Sequence, residues 1–86
     1  MTALIFWRPL AEQGDAEAQS KIGGMYARGL GAPQDFVQGY MWLILAAAQG
    51  HDMALVSRDM VAIKLSPDQL AEAQRMAREW MERYQQ

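Results

Sequence analysis

With 86 residues, 51% of them hydrophobic and 21% charged, the chain is sized for one domain whose core is near the lower limit for independent folding. Its net charge of −2 gives no electrostatic reason to expect a nucleic-acid partner. The absence of cysteine excludes disulfide stapling, thiolate catalysis and Cys-based zinc binding, and fits a reducing compartment.

No apolar stretch approaches the roughly 18 residues of a membrane span. The opening apolar run, Ala3 to Trp7, lacks the basic start, long apolar core and small-residue cleavage site of a signal peptide. The expectation is a cytoplasmic protein, or a periplasmic one if the chain is an N-terminally truncated fragment.

From Asp15 to Gly29 the pattern is helical. Ala18, Ile22, Met25, Tyr26 and Gly29 fall on one stripe, and Asp15 can cap the free amides at its start. Gly29 and Gly31 end the helix, one of them supplying the left-handed backbone that a C-terminus favours, and Pro33 blocks continuation. Asp35 then starts a second helix, with Gln38 placed to complete a capping box. So short a connector predicts two antiparallel helices.

The helix from Phe36 to Gln49 carries Phe36, Tyr40, Leu43 and Ala47 as its apolar stripe, with Trp42 and Ala46 beside it; Gly50 closes it. The next, Met53 to Lys64, is apolar around much of its circumference, which predicts burial on more than one side. The last begins at Ser66, with Pro67 at N1, Gln69 completing a capping box, and Leu65 and Leu70 placed as a hydrophobic staple. Leu70, Ala73, Ala77, Trp80, Met81 and Tyr84 form its dry side. Arg75–Glu79, Arg78–Glu82 and Glu79–Arg83 are spaced for ion pairs on its wet side.

The segment "LAEQGDAEA" (10–18) returns as "AAAQGHDMA" (46–54), an offset of 36 residues (50 − 14). A period in the thirties that spans two helices marks an α/α solenoid. The unit "GDAEAQSKIGGMYARGLGAPQDFVQGYMWLILAAAQGH" resembles the Sel-one-like repeat (SLR) family, a relative of the tetratricopeptide repeat. Ala18, Ile22-Gly23, Tyr26, Gly29, Gly31, Pro33, Asp35, Trp42, Ala46-Ala47 and Gly50 carry the resemblance. The tail "LSPDQLAEAQRMAREW" resembles the ending of many bacterial SLR proteins. Gly39 departs from the usual Ala and permits closer packing; Arg58 and Asp59 replace Ile22 and Gly23 in the second copy, a half-unit expected to be adapted to the closing helix.

The resemblance implies an all-α, α/α solenoid of antiparallel helix pairs, about five helices in one domain, residues 1–86. Residues 1–13 would be a half repeat, 14–50 a full repeat, and 51–86 an irregular repeat with the closing helix. It also implies a bacterial protein–protein interaction module, an adaptor or scaffold. First helices of SLR units line a concave face where partners bind. Glu17, Lys21 and Arg28 on one such helix, with Met53, Ser57, Met60 and Lys64 on its equivalent, would form a shared partner-binding surface. Methionines are adaptable, and Lys21, Arg28 and Lys64 favour acidic flanks.

Catalysis is not expected. His51 is a lone histidine, read as an exposed residue whose charge suits a helix end, and no other ligands stand at metal spacing. Ser20, Ser57 and Ser66 have no base in sequence, and the Glu residues are expected on solvated faces. "GLGAP" is followed by no Lys-Ser/Thr, so it is no phosphate loop; Gly23-Gly24 reads instead as close helix approach, with Gly23 at the edge of the apolar stripe and Gly24 on the opposite face beside Glu17, Lys21 and Arg28. No cofactor, metal, nucleic acid or membrane is expected. One alternative is a self-associating structural unit, a homodimer through the N-terminal helix with Leu4, Ile5, Trp7 and Leu10, or a fragment of a longer repeat protein. The other is a hydrolase related to cysteine-rich, β-lactam-binding family members, against which the missing cysteines argue.

Overall fold

A computed structural model of the chain describes residues 3–84. They form five helices: α1 (Ala3–Glu12), α2 (Ala16–Arg28), α3 (Phe36–Ala48), α4 (Asp52–Ala62) and α5 (Pro67–Tyr84). None is long and apolar enough to cross a membrane.

Local chemistry sets most helix ends. Asp15 caps α2, its carboxylate accepting from the Ala18 N–H at 2.8 Å. Gly29, at φ 70°, ends that helix: Leu30 N–H donates to the Met25 carbonyl and Gly29 N–H to that of Tyr26. Asp35 caps α3 by accepting from Gln38 N–H at 3.0 Å. The expected capping box is only half made there, because Asp35 N–H donates to the Tyr26 carbonyl at 2.8 Å and so ties the connector to α2. At α5 the box is complete: Gln69 N–H donates to Ser66 Oγ, and Ser66 N–H to Gln69 Oε1. Ser66→Ala is expected to cost about 1 kcal/mol, readable as a lower urea midpoint at unchanged slope. An unchanged midpoint would mean that the start of α5 is held by packing alone.

The repeat is visible in the backbone. Gly14 N–H donates to the Ala11 carbonyl and Asp15 N–H to that of Leu10; 36 residues on, Gly50 N–H donates to Ala47 and His51 N–H to Ala46. His51 therefore stands where Asp15 stands. Its Nδ1 accepts from Ala54 N–H at 3.3 Å, capping α4. The expectation that its charge suits a helix end is corrected: a cap at an N-terminus needs an acceptor, and the Nδ1 lone pair supplies one.

The central element is α3, flanked by α2, α4 and α5. Tyr40, Met41, Trp42, Leu43, Leu45 and Ala46 are all buried, a wider apolar face than the expected stripe. One cluster joins Ala11, Ala18, Ile22, Trp42, Ala77 and Trp80, the two indoles meeting edge-on at 5.9 Å. A second joins Tyr40, Leu43, Ala54, Val61, Leu65 and Ala73. Between α2 and α3 the backbones nearly touch, since a Cβ at Gly23 would lie 3.0 Å from the Gly39 carbonyl oxygen.

Two expectations fail at the C-terminal end. The fourth helix is buried on one side only, through Ala54 and Val61; Met53, Leu55, Val56 and Met60, with Ile63 at its end, are exposed. The reason is that α5 packs on α3 and leaves α4 largely uncovered. Arg58 and Asp59 accordingly pair with each other at 3.5 Å and receive no closing helix. On the wet side of α5 only Arg75 follows the expected pairing, reaching Glu79 at 2.8 Å and also Glu72 at 3.2 Å. Its hydrogen bond to Glu79 holds the guanidinium above its ordinary pKa.

Candidate functional site: a groove between two equivalent helices

The 36-residue repeat makes α2 and α4 equivalent, and they lie side by side. Between them runs an open groove of about 470 Å³. From α2 it takes Glu17, Ser20, Lys21, Gly24, Met25 and Arg28. His51 and, from α4, Met53 and Ser57 form the other wall, and Leu30 from the connector completes the lining.

Five residues singled out from the sequence thus meet here: Glu17, Lys21, Arg28, Met53 and Ser57. Met60 and Lys64 lie outside the lining, Lys64 in the turn that follows α4. Both are exposed. Gly24 lies on the expected face with Glu17, Lys21 and Arg28, while Ser20, Met25, Leu30 and His51 are additions. His51 was hidden because its role follows from its equivalence to Asp15, a capping position that sequence patterns seldom fill with histidine.

Electrostatically the groove is mixed. Glu17 stands 3.7 Å from Lys21 Nζ and 3.8 Å from His51 Nε2, so its carboxylate is shared by both walls. Lys21 Nζ also lies 5.7 Å from the centroid of the Trp7 ring, which fixes it at the α1 side of the groove. Arg28, in the last turn of α2, is exposed and makes no ion pair among the described residues. Gly24 forms part of the floor, and a Cβ built there would meet nothing within 4 Å. The apolar contribution comes from Met25, Met53 and Leu30, the last two exposed. Such a lining can hold an elongated segment with apolar anchors and acidic neighbours.

Nearby, the site is braced by a buried amide absent from the sequence reading. Gln19 is fully buried on α2; its Nε2 donates to the Ala11 carbonyl at 3.1 Å, and its Oε1 accepts from Gln49 Nε2 at 2.9 Å. Gln49 Nε2 also reaches the Gly14 carbonyl at 2.9 Å. Arg8 donates to the Tyr26 hydroxyl and pairs with Glu12 at 3.3 Å, locking α1 against α2. A smaller cavity between α1, α3 and α5 is lined by Arg8, Trp42 and Trp80. The buried Trp42 Nε1 has no acceptor among the described residues. Among the described residues, no three His, Asp or Glu side chains gather as a metal-binding group would require.

Residues 16–51 match the family model described as "Sel1 repeat". Over 95% of its length the chain also superimposes, with a TM-score of 0.89 and 32% identity, on a crystal structure of a protective antigen from uropathogenic Escherichia coli strains that displays an SLR fold. The matched part is 18% of that protein's chain. No curated protein matches the sequence.

Proposed function

From the premise that this chain is an SLR protein, carrying a Sel1 repeat in an SLR fold, we propose that it is a non-catalytic protein-interaction module. It holds a peptide segment of its partner in the groove between α2 and α4. The observation that carries this reading is the groove itself, built from matched positions of two equivalent helices and left open between them. In a stacked repeat such positions form a continuous binding surface. Two cations, Lys21 and Arg28, against one carboxylate, Glu17, favour a segment with Asp or Glu beside its apolar anchors. Met25 and Met53 adapt to those anchors. No cofactor takes part in this reading.

Selection from a displayed library of random 12-residue peptides tests it. Enrichment of apolar sequences flanked by Asp or Glu is expected, with binding that weakens as salt rises. Gly24→Trp should abolish capture while leaving the melting temperature unchanged or higher, because the new side chain enters open space in a helix that gains by losing a glycine. The double reversal Lys21→Glu with Arg28→Glu should also abolish it. That variant loses the Lys21–Glu17 pair and a cation at a helix C-terminus, a cost of about 1 kcal/mol in total. A library that yields no enriched family, or peptides retained equally by the Gly24→Trp variant, would sink the proposal.

A further inference from the structure

The two equivalent helices are capped by different chemistry. Asp15 caps α2 with a carboxylate, which has acceptors only, and the Ala18 N–H donates to it at 2.8 Å. His51, 36 residues on, caps α4 through Nδ1, which accepts from the Ala54 N–H at 3.3 Å. An imidazole keeps that acceptor only while it carries a single proton. Of the two caps, His51 lines the groove, beside Met53.

The other ring nitrogen faces the opposite wall. A ring that accepts at Nδ1 has its proton on Nε2, and Nε2 stands 3.8 Å from Glu17 Oε2 on α2. Through its other oxygen Glu17 lies 3.7 Å from Lys21 Nζ. The His51 side chain is 20% exposed, held between the walls yet open to water. The charged groups around it are Glu17, with Lys21 and Arg28 further along α2, and Asp52, exposed in the first turn of its own helix. Further along α4, Arg58 and Asp59 pair with each other. The end of α3 brings Gln49 and Gly50, and the connector brings Leu30, none of them charged.

We propose that His51 is a proton-operated latch on this groove. Histidine is the side chain that changes charge between about pH 5 and 8. A proton taken from water onto Nδ1 turns the acceptor into a donor, and that donor then faces another, the Ala54 N–H. The charged ring also lies at the positive end of the α4 dipole. Both effects drive it out of the cap, and Glu17, already alongside, receives it. The start of α4 with Met53 is released, and Lys21 loses part of its hold on Glu17. Counting Lys21, Arg28 and Glu17, the groove passes from one net positive charge to two. The consequence for a partner rests on the peptide-binding reading. Acidic flanks are held more tightly as pH falls, because Asp and Glu carboxylates stay ionised down to about pH 4. The latch itself does not depend on that reading.

NMR of the isotope-labelled full chain from about pH 8 to about pH 5 tests the latch. The Ala54 amide proton should move upfield as the cap opens, with the same midpoint as the His51 ring signals, while the Ala18 amide keeps its position. His51→Asn retains a cap acceptor that takes up no proton, so the Ala54 amide should then stay still. His51→Asp serves in its place if circular dichroism shows that the first variant does not fold. An Ala54 amide that does not follow the ring, or that moves equally in the variant, overturns the proposal. Binding is read with a 12-residue peptide, two leucines in a serine background flanked by Asp, and with the same peptide carrying Asn for Asp. Preference for the Asp peptide should rise about threefold as pH falls through this range, the effect of one added charge roughly 8 Å away in a watery groove. In His51→Asn the preference should stay constant. A constant preference in the wild type, with a moving Ala54 amide, overturns the link between latch and groove. Failure of both peptides to bind at any pH counts against the peptide-binding reading alone, because the Ala54 amide decides the latch.

Discussion

A chain ending at Leu65 is expected to lose its cooperative unfolding transition altogether. Residues after Leu65 supply Ala73, Ala77 and Trp80, which are buried in both clusters, and Trp80 covers the edge of Trp42. Removing a buried Trp side chain alone costs about 3–5 kcal/mol. At roughly 0.05–0.15 kcal/mol per residue, a chain of 86 residues has about 4–13 kcal/mol in total, so that loss is a large share of it. Trp80→Ala is therefore expected to lower the melting temperature by about 4–8 °C for each kcal/mol lost. Thermal melts followed at 222 nm decide the matter. A truncated chain that still melts cooperatively near the full-length midpoint would show that α1 to α4 suffice, and that α5 is an accessory.

The second large effect is expected from Gly23→Leu. A Cβ at Gly23 would sit 2.8 Å from Leu43 Cγ and 3.0 Å from the Gly39 oxygen. Leu43 is fully buried, and the oxygen belongs to backbone, so neither can yield cheaply. Overpacking of this kind costs at least about 1–3 kcal/mol, and a full isobutyl group exceeds the range because the two helices must separate. The neighbouring Gly24 faces open space, so Gly24→Ala should be neutral or stabilise by up to about 1 kcal/mol. In a urea titration the two variants should move the midpoint differently, Gly23→Leu sharply downward. Equal midpoints would refute the assignment of Gly23 to the α2–α3 contact.

These two cases also show what was legible in the residues. Gly23 and Gly24 could be told apart before any coordinates, because only Gly23 lies beside the apolar stripe of Ile22. The ends marked by Asp15, Gly29, Asp35 and Ser66 were readable for a similar reason: a cap is a contact within three or four residues. The partner of an apolar face is not local. Met53, Leu55, Val56 and Ile63 announce a hydrophobic helix, but nothing in their spacing says that α5 turns back onto α3 and leaves them exposed. Within the groove, Lys21 and Arg28 were found by periodicity and Met53 and Ser57 by the 36-residue shift. His51 escaped because histidine seldom fills a cap, and Gln19 because its partners, the Ala11 carbonyl and Gln49, are brought to it by folding. Gln19 in particular has the composition of a surface residue and the environment of a core one.

That buried amide has a consequence for how the molecule opens. Gln49 Nε2, at the end of α3, holds both the Gly14 carbonyl and Gln19 Oε1, while Gln19 holds the Ala11 carbonyl. The turn between α1 and α2 therefore cannot loosen without releasing the end of α3. In native-state hydrogen exchange, the amides that close the two equivalent turns, Gly14 and Asp15 in one, Gly50 and His51 in the other, should share a single opening free energy. Gln49→Leu, which removes both of these bonds, should split them into two independently exchanging groups, turning one cooperative unit into two.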